Sequence, residues 1–490
     1  MASRVGAEGP GTDARLVAKN TLFLSLADVG GKLSTFVFLL VAARRLGAED
    51  FGVFSFALAF VGMFAVLTDL GLGQLAVREI ARNRGVARRL VGNALAIKLV
   101  VGVAVIALMA LAVNVLGYPA RTVHVVYICG LTIADSAFTL YFRLVYQGFE
   151  RTSFAAFGRA LQMVLMVGGV VLLARGQLGV ESYAWVFAAV SLSVAVFSWS
   201  MCSLFLVRPA LSLRLVEWRR MLRAALPFGL AGLLVMLYYW NGSAVLSKLS
   251  GDEAVGIYGA AFRLVLGMSL VASAFAGAMY PVMSRLYVQD PVRLRQVFTR
   301  SMRYMLLIAV PLGVLGTVLA RPVILMLYGR GYEASIPVLI ILGWWLALVH
   351  LNCLTGHYFL SINRPRTLTL QAGISLGVNV GLNVLLIPRL GPAGAAWAVL
   401  AAEAIGFAFL AWQQAATPGR LQGGVVARTS LKSAIAASAA IPPAWLVGRW
   451  NAVGGVAVAL GTYSGLLVLL GGLSGEDLAT LRQMLRRGYG

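Results

Sequence analysis

The chain has 490 residues, 60% of them hydrophobic and only 12% charged, with a formal net charge of +23. A soluble domain usually carries about twice that share of charge, so the composition excludes an ordinary soluble globular protein. The positive excess does not point to nucleic acid, because the arginines sit in short loops between apolar runs.

An apolar helix needs about 20 residues to cross roughly 30 Å of hydrocarbon, and stretches of that length recur from end to end. They predict spans at 21–43, 51–72, 91–116, 122–147, 154–174, 181–207, 226–247, 255–280, 303–320, 335–360, 367–387, 393–414, 431–447 and 452–473. Helices are the natural reading, because lipid offers no partner to an unpaired backbone group. A lipid-facing β-barrel would show alternating polarity in short segments, which is absent. The first stretch follows Arg15 and Lys19 and is too long for a signal-peptide core, so it is read as an uncleaved span. The last two are the weakest, since Pro442 and Pro443 interrupt one and glycines dilute the other. Cys129, Cys202 and Cys353 lie inside apolar segments without paired spacing and read as small core residues.

The loops between odd and even spans hold nine Lys and Arg residues, whereas the opposite side, termini included, holds 27 of the chain's 41. Arg78, Arg82, Arg84, Arg88 and Arg89 share one loop of that richer side, and Arg208, Arg214, Arg219, Arg220 and Arg223 another. By the positive-inside rule both termini are cytoplasmic.

The segment "RRLGAEDFGVFSFALAF" (44–60) matches "KLSGDEAVGIYGAAFRL" (248–264) at an offset of 204, with Glu49, Gly52 and Phe54 facing Glu253, Gly256 and Tyr258. A second pair, "LGVESYAWVFA" (178–188) and "LGPAGAAWAVL" (390–400), recurs at 212. The expected architecture is therefore an all-α integral membrane protein of about fourteen helices. It comprises a six-helix lobe over 1–207, a basic amphipathic linker over 208–225, a parallel six-helix lobe over 226–416, and two further helices with a basic tail over 417–490. Leu211, Leu215, Trp218 and Leu222 suit the linker to a membrane surface.

The ordered series "KNTLFLSLADVGGKLSTFVFLLVAARRLGAEDFGVFSFALAF", "LTDLGLGQLAVREIARNR", "LPFGLAGLLVMLYYWNGSAVLSKLSGDEAVGIYGAAFRL", "ARPVILMLYGRGYEASIPVLIIL" and "LLIPRLGPAGAAWAVLAAE" resembles the Wzx-type polysaccharide-biosynthesis flippases. These belong to the multidrug/oligosaccharidyl-lipid/polysaccharide exporter superfamily, and the match covers roughly residues 15 to 415. The resemblance implies two lobes around a central cavity, alternating access, and an undecaprenyl-diphosphate-linked oligosaccharide (an O-antigen, capsule or exopolysaccharide unit) as substrate. From the similar lipid II flippases it implies an inward-facing resting state and a lateral gate near the first and eighth spans. A polysaccharide polymerase is a possible partner, and no cofactor is implied beyond H⁺ or Na⁺ coupling.

A charge near the bilayer centre costs about 2.5–3.5 kcal/mol on insertion scales, so such residues usually face a partner or a wet cavity. Asp28 and Lys32 share one face of the first span with Ser25 and Thr35, either as a self-neutralising pair or as cavity lining. Lys98 and Arg263 lie too deep to snorkel fully and are expected to line a cavity, where they would suit an anionic diphosphate. Arg143 and Arg159, near helix ends, are expected to reach headgroups instead, and Asp69 to be structural beside Arg78. Asp135 and Glu403 are candidates for ion coupling or static pairing. His350, with His357 on nearly the same face, reads as polar lining, and Asn379, Asn383 and Gln371 as a stripe that bonds helices or touches sugar. The aromatics of "MLYYWNG" (236–242) suit an interfacial belt. The rival reading is an ion-coupled multidrug antiporter, although the mid-span charges are balanced rather than acidic. A membrane enzyme is disfavoured by short outer loops and by the absence of any Asp-x-Asp, phosphate-loop or Ser/His/Asp constellation.

Overall fold

A computed structural model describes residues 10–149, 151, 153–174, 176, 178–210, 215–417, 420–448 and 452–472. Among them the secondary structure is helical throughout, with fifteen α-helices. Eleven helical stretches are long and apolar enough to cross a membrane. Two of these, Val29–Thr68 and Leu233–Gln289, each contain a kink and a pair of the expected spans, and a shorter apolar helix, Gly454–Leu469, adds another. The protein is thus an all-α, multi-pass membrane protein, as the composition requires.

The chain divides into two compact units, Met1–Ala244 and Val245–Gly490. The first unit opens with α1 (Pro10–Ala65), followed by α2 (Leu72–Arg82), α3 (Ala87–Val115), α4 (Ala120–Gly130), α5 (Ile133–Gly148), α6 (Ser153–Ala174) and α7 (Val180–Phe205). Helix α1 is two expected spans joined at Gly47, where φ is 76° and ψ 179°. Only glycine occupies that region readily. Inside the unit α1 packs on α4, α6 and α7, while α5 packs on α2 and α7.

Several details depart from the expected spans. The second span ends earlier than residue 72, in a 3₁₀ turn at Val66–Thr68 followed by left-handed Leu70 and Gly71. The arginine-rich stretch beyond, expected as a loop, forms α2, because Leu72, Leu75, Ala76 and Ile80 line one helical face and bury it. The fourth span is broken at Leu131 and Thr132 into α4 and α5. The start of α8 (Leu215–Met268) carries Trp218, Met221 and Leu222 against the core formed by α2, α3 and α5, so the linker's described apolar side faces protein rather than lipid. Leu211 and Arg214 lie outside the described residues.

The unit boundary falls within α8, beyond the expected linker. The second unit holds the rest of α8, then α9 (Leu270–Gln289), α10 (Pro291–Leu327), α11 (Ser335–Ser361), α12 (Pro365–Leu390) and α13 (Pro392–Ala415). Gly251, at φ 83° and ψ 176°, kinks α8 as Gly47 kinks α1. Asp290 caps α10 by accepting from the Arg293 amide, and Asn83 before α3 accepts likewise from Gly85. Phe298 stacks on Tyr358 in the core that joins α10 and α11. The final pair, α14 (Gly423–Gly448) and α15 (Ala452–Leu469), packs on α10 through Ala436, Ala440, Ala444 and Tyr463. Pro442 and Pro443 lie inside α14 without ending it. The basic tail beyond residue 472 lies outside the described residues.

Candidate functional site

The first unit contains a cavity of about 430 Å³ lined by α1, α5, α6, α7 and the first-unit part of α8. Its polar wall comes largely from α5, where Asp135, Thr139 and Arg143 recur every four residues and therefore share one face. Arg159 of α6, Asp69 beyond α1 and Ser198 of α7 complete that wall. Opposite polarity comes from Met236 and Trp240 of α8. Gly62 of α1 admits the indole, since a Cβ there would lie 3.1 Å from the Trp240 ring.

Arg159 and Asp135 have identifiable neighbours. The Arg159 guanidinium donates to Gln162 Oε1 at 2.8 Å, and Gln162 Nε2 donates to Thr35 Oγ1 at 3.4 Å. This chain joins α6 to the polar face of α1. The Tyr146 hydroxyl donates to the Ser198 carbonyl at 2.5 Å and fixes α5 against α7 at the cavity edge. Asp135 lies beside the Thr139 hydroxyl one turn on and within electrostatic reach of Arg159. The cavity wall therefore sets an acid, a hydroxyl and two guanidinium groups close together on α5 and α6.

Lys98, expected in a cavity wall, is instead fully buried behind it. Its ammonium donates to the Thr68 carbonyl at 2.9 Å, pairs with Asp69 at 3.5 Å and lies 5.4 Å from the Tyr141 ring centroid. Asp69, expected beside Arg78, is thereby neutralised by Lys98. Arg143 and Arg159, expected at headgroups, line the cavity, and Trp240 does the same rather than standing in a belt. The signal that could have found them is the four-residue stripe Asp135, Thr139 and Arg143. Lys32 is exposed, and the side chain of Asp28 lies outside the described residues.

The remaining candidates belong to the second unit, described on its own. Asn383 Nδ2 donates to Asn379 Oδ1 at 3.1 Å, and both side chains are buried. Asn352 Nδ2 donates to Glu403 Oε1 at 2.6 Å, which gives that buried carboxylate a static partner. His350 is buried with Nδ1 2.8 Å from the Leu346 carbonyl, while His357 sits one residue-heptad on beside Tyr280. Gln371 donates to Ser375 at 3.1 Å. Arg263 lies within electrostatic reach of Tyr328 and Tyr332. The Tyr328 hydroxyl in turn donates to the Ala260 carbonyl at 3.1 Å.

The sequence pattern of the polysaccharide biosynthesis protein family matches residues 17–287, more than half of the chain. The chain belongs to that family, and the expected resemblance to the polysaccharide flippases of the exporter superfamily is borne out. The MatE pattern matches residues 227–385. A probable low-salt glycan biosynthesis flippase, Agl15 of Haloferax volcanii, is 23% identical over 395 residues, which is 79% of this chain and 81% of the relative. Lipid II flippase MurJ in an inward closed conformation superposes with a TM-score of 0.70 at 14% identity, covering 92% of this chain and 99% of that one. An inward-facing multidrug resistance MATE transporter gives a TM-score of 0.59 at 18% identity, covering 83% and 96%. At such identities the two structures establish a shared fold. These relatives are named as flippases and transporters, not enzymes.

Proposed function

We propose that the protein is a flippase that carries an undecaprenyl-diphosphate-linked oligosaccharide from the inner to the outer leaflet of a cytoplasmic membrane by alternating access. The observation that carries this reading is the first-unit cavity. Arg143 and Arg159 supply charge-assisted donors for a diphosphate, Trp240 offers an aromatic surface to the first sugar, and Asp135 and Thr139 add polar groups to the same wall. The family assignment and the flippase named among its relatives support the same class of substrate. The threefold bias of Lys and Arg places the termini, in this reading, on the cytoplasmic side. O-antigen, capsule and exopolysaccharide units share the diphosphate, so any of them suits the cavity, and a polymerase would act downstream.

The MatE match favours a second reading, export of small organic cations. Arg143 and Arg159 in the cavity wall disfavour that cargo, and Asp69 and Asp135 of the same wall balance rather than reverse their charge. The test is glycan export in cells lacking the chromosomal gene, complemented by the wild type, R143Q, R159Q or the double variant. Each single variant is expected to lower surface glycan severalfold at unchanged membrane abundance, and the double variant to abolish it. Normal output from the double variant, or drug export without glycan export by the wild type, would overturn the proposal.

A further inference from the structure

Six arginines at one end of the first unit have no part in the cavity. Arg88 and Arg89 start α3, Arg208 follows α7, and Arg219, Arg220 and Arg223 lie on the first turns of α8. All six are exposed. None has an acidic partner among the described residues, since the nearby Glu217 accepts from Asn93 Nδ2 at 2.7 Å.

The packing brings these three stretches together. The Ala210 amide donates to the Arg88 carbonyl at 3.1 Å, tying the linker to the start of α3. Gly92 permits the contact, because a Cβ there would overlap the Ala210 backbone. Glu217 ties α8 to α3 one turn further on, and Trp218, Met221 and Leu222 pack against the buried cluster that contains Ile80, Val91 and Leu95. With Trp218, Met221 and Leu222 packed on protein, the start of α8 turns Arg219, Arg220 and Arg223 outward together with Val216. Like charges gathered at one end of the unit create a positive potential that draws anions.

We propose that this arginine surface is a binding site for the anionic headgroups of membrane phospholipids, which hold the linker's helical start in place. The occupant is a diacyl phospholipid rather than a protein, because the arginines stand at the ends of α3 and α7, two helices long and apolar enough to cross a membrane, beside exposed Val86, Leu204, Phe205 and Val216. Basic residues at a membrane surface each strengthen binding to anionic lipid about fivefold, and salt weakens the effect. Guanidinium groups pair with phosphate in a bidentate manner. This inference does not depend on what the cavity transports.

The experiment uses the full-length protein in nanodiscs of phosphatidylcholine containing one-tenth phosphatidylglycerol, read by native mass spectrometry. The wild type is expected to retain phosphatidylglycerol above its bulk share. R219Q/R220Q/R223Q should lower that retention by tenfold to a hundredfold, and R219K/R220K/R223K should keep most of it. Intrinsic tryptophan fluorescence and size-exclusion behaviour show whether the Gln variant is folded, and R88Q/R89Q provides a second test away from α8. Equal retention by the wild type and both Gln variants would overturn the proposal. So would displacement of the retained lipid by inorganic diphosphate but not by added phosphatidylglycerol, which would mark the surface as a carrier-headgroup site.

Discussion

The two units share glycine-hinged helices at matching offsets and differ in what they do with polar side chains. Gly47 and Gly251, at the offset of 204 seen in the sequence, adopt the same extended left-handed conformation between paired helices. Gly117 and Gly329, 212 apart, both have positive φ at the end of a long helix. The first unit nevertheless sets Asp135, Thr139, Arg143 and Arg159 in a cavity wall, whereas the second bonds Asn383 to Asn379 and Asn352 to Glu403 between buried side chains. The two units thus share their kinks and differ in where their polar side chains sit.

That contrast can be broken experimentally. The largest effect should come from Lys98→Met, which strips the buried counter-charge from Asp69. Breaking a buried pair costs about 3–5 kcal/mol, and the partial exposure of Asp69 puts the loss near 3 kcal/mol, read as a lower unfolding midpoint in detergent. The double variant K98M/D69L should recover much of it. A K98M protein as stable as the wild type, but inactive, would return Lys98 to a direct substrate role.

Gly47→Ala and Gly251→Ala probe the shared scaffold. Neither added Cβ meets an atom within 4 Å, so the cost is conformational alone, about 1–3 kcal/mol. The two variants should lose similar stability in a thermal melt. A large difference between them would show that the kinks are alike in shape but not in energetic role.

The helical architecture and the first glycine repeat were legible in the sequence, because lipid enforces long apolar runs and the kink-bearing segments keep matching residues. Helix α2 was obscured by Arg78 and Arg82, although Leu72, Leu75, Ala76 and Ile80 carry a helical period. The site was less legible. Depth along a span can be counted from residues, but the face a side chain presents depends on which neighbour covers it. Arg143 and Arg159 near helix ends therefore look like headgroup contacts, and Lys98 deep in a span looks like cavity lining, until α1, α5 and α6 are packed. The stripe from Asp135 to Arg143 was readable by its spacing alone.

The smallest effect is expected in the second unit. Asn383→Leu removes the bond to Asn379 and should cost about 1 kcal/mol, typical of a net hydrogen bond, with glycan export near normal when measured at equal abundance. Loss of export without loss of stability would move substrate recognition toward α12.

The most direct test of the account is equilibrium binding of a short-chain polyprenyl-diphosphate-linked saccharide to purified protein, comparing R143Q/R159Q with N379A/N383A. A hydrogen bond to a charged group is worth about 1.5–3 kcal/mol. The arginine variant should therefore bind at least tenfold more weakly, while the asparagine variant binds like the wild type. Unchanged affinity in R143Q/R159Q, with the loss falling on N379A/N383A, would contradict the assignment of headgroup recognition to the first unit.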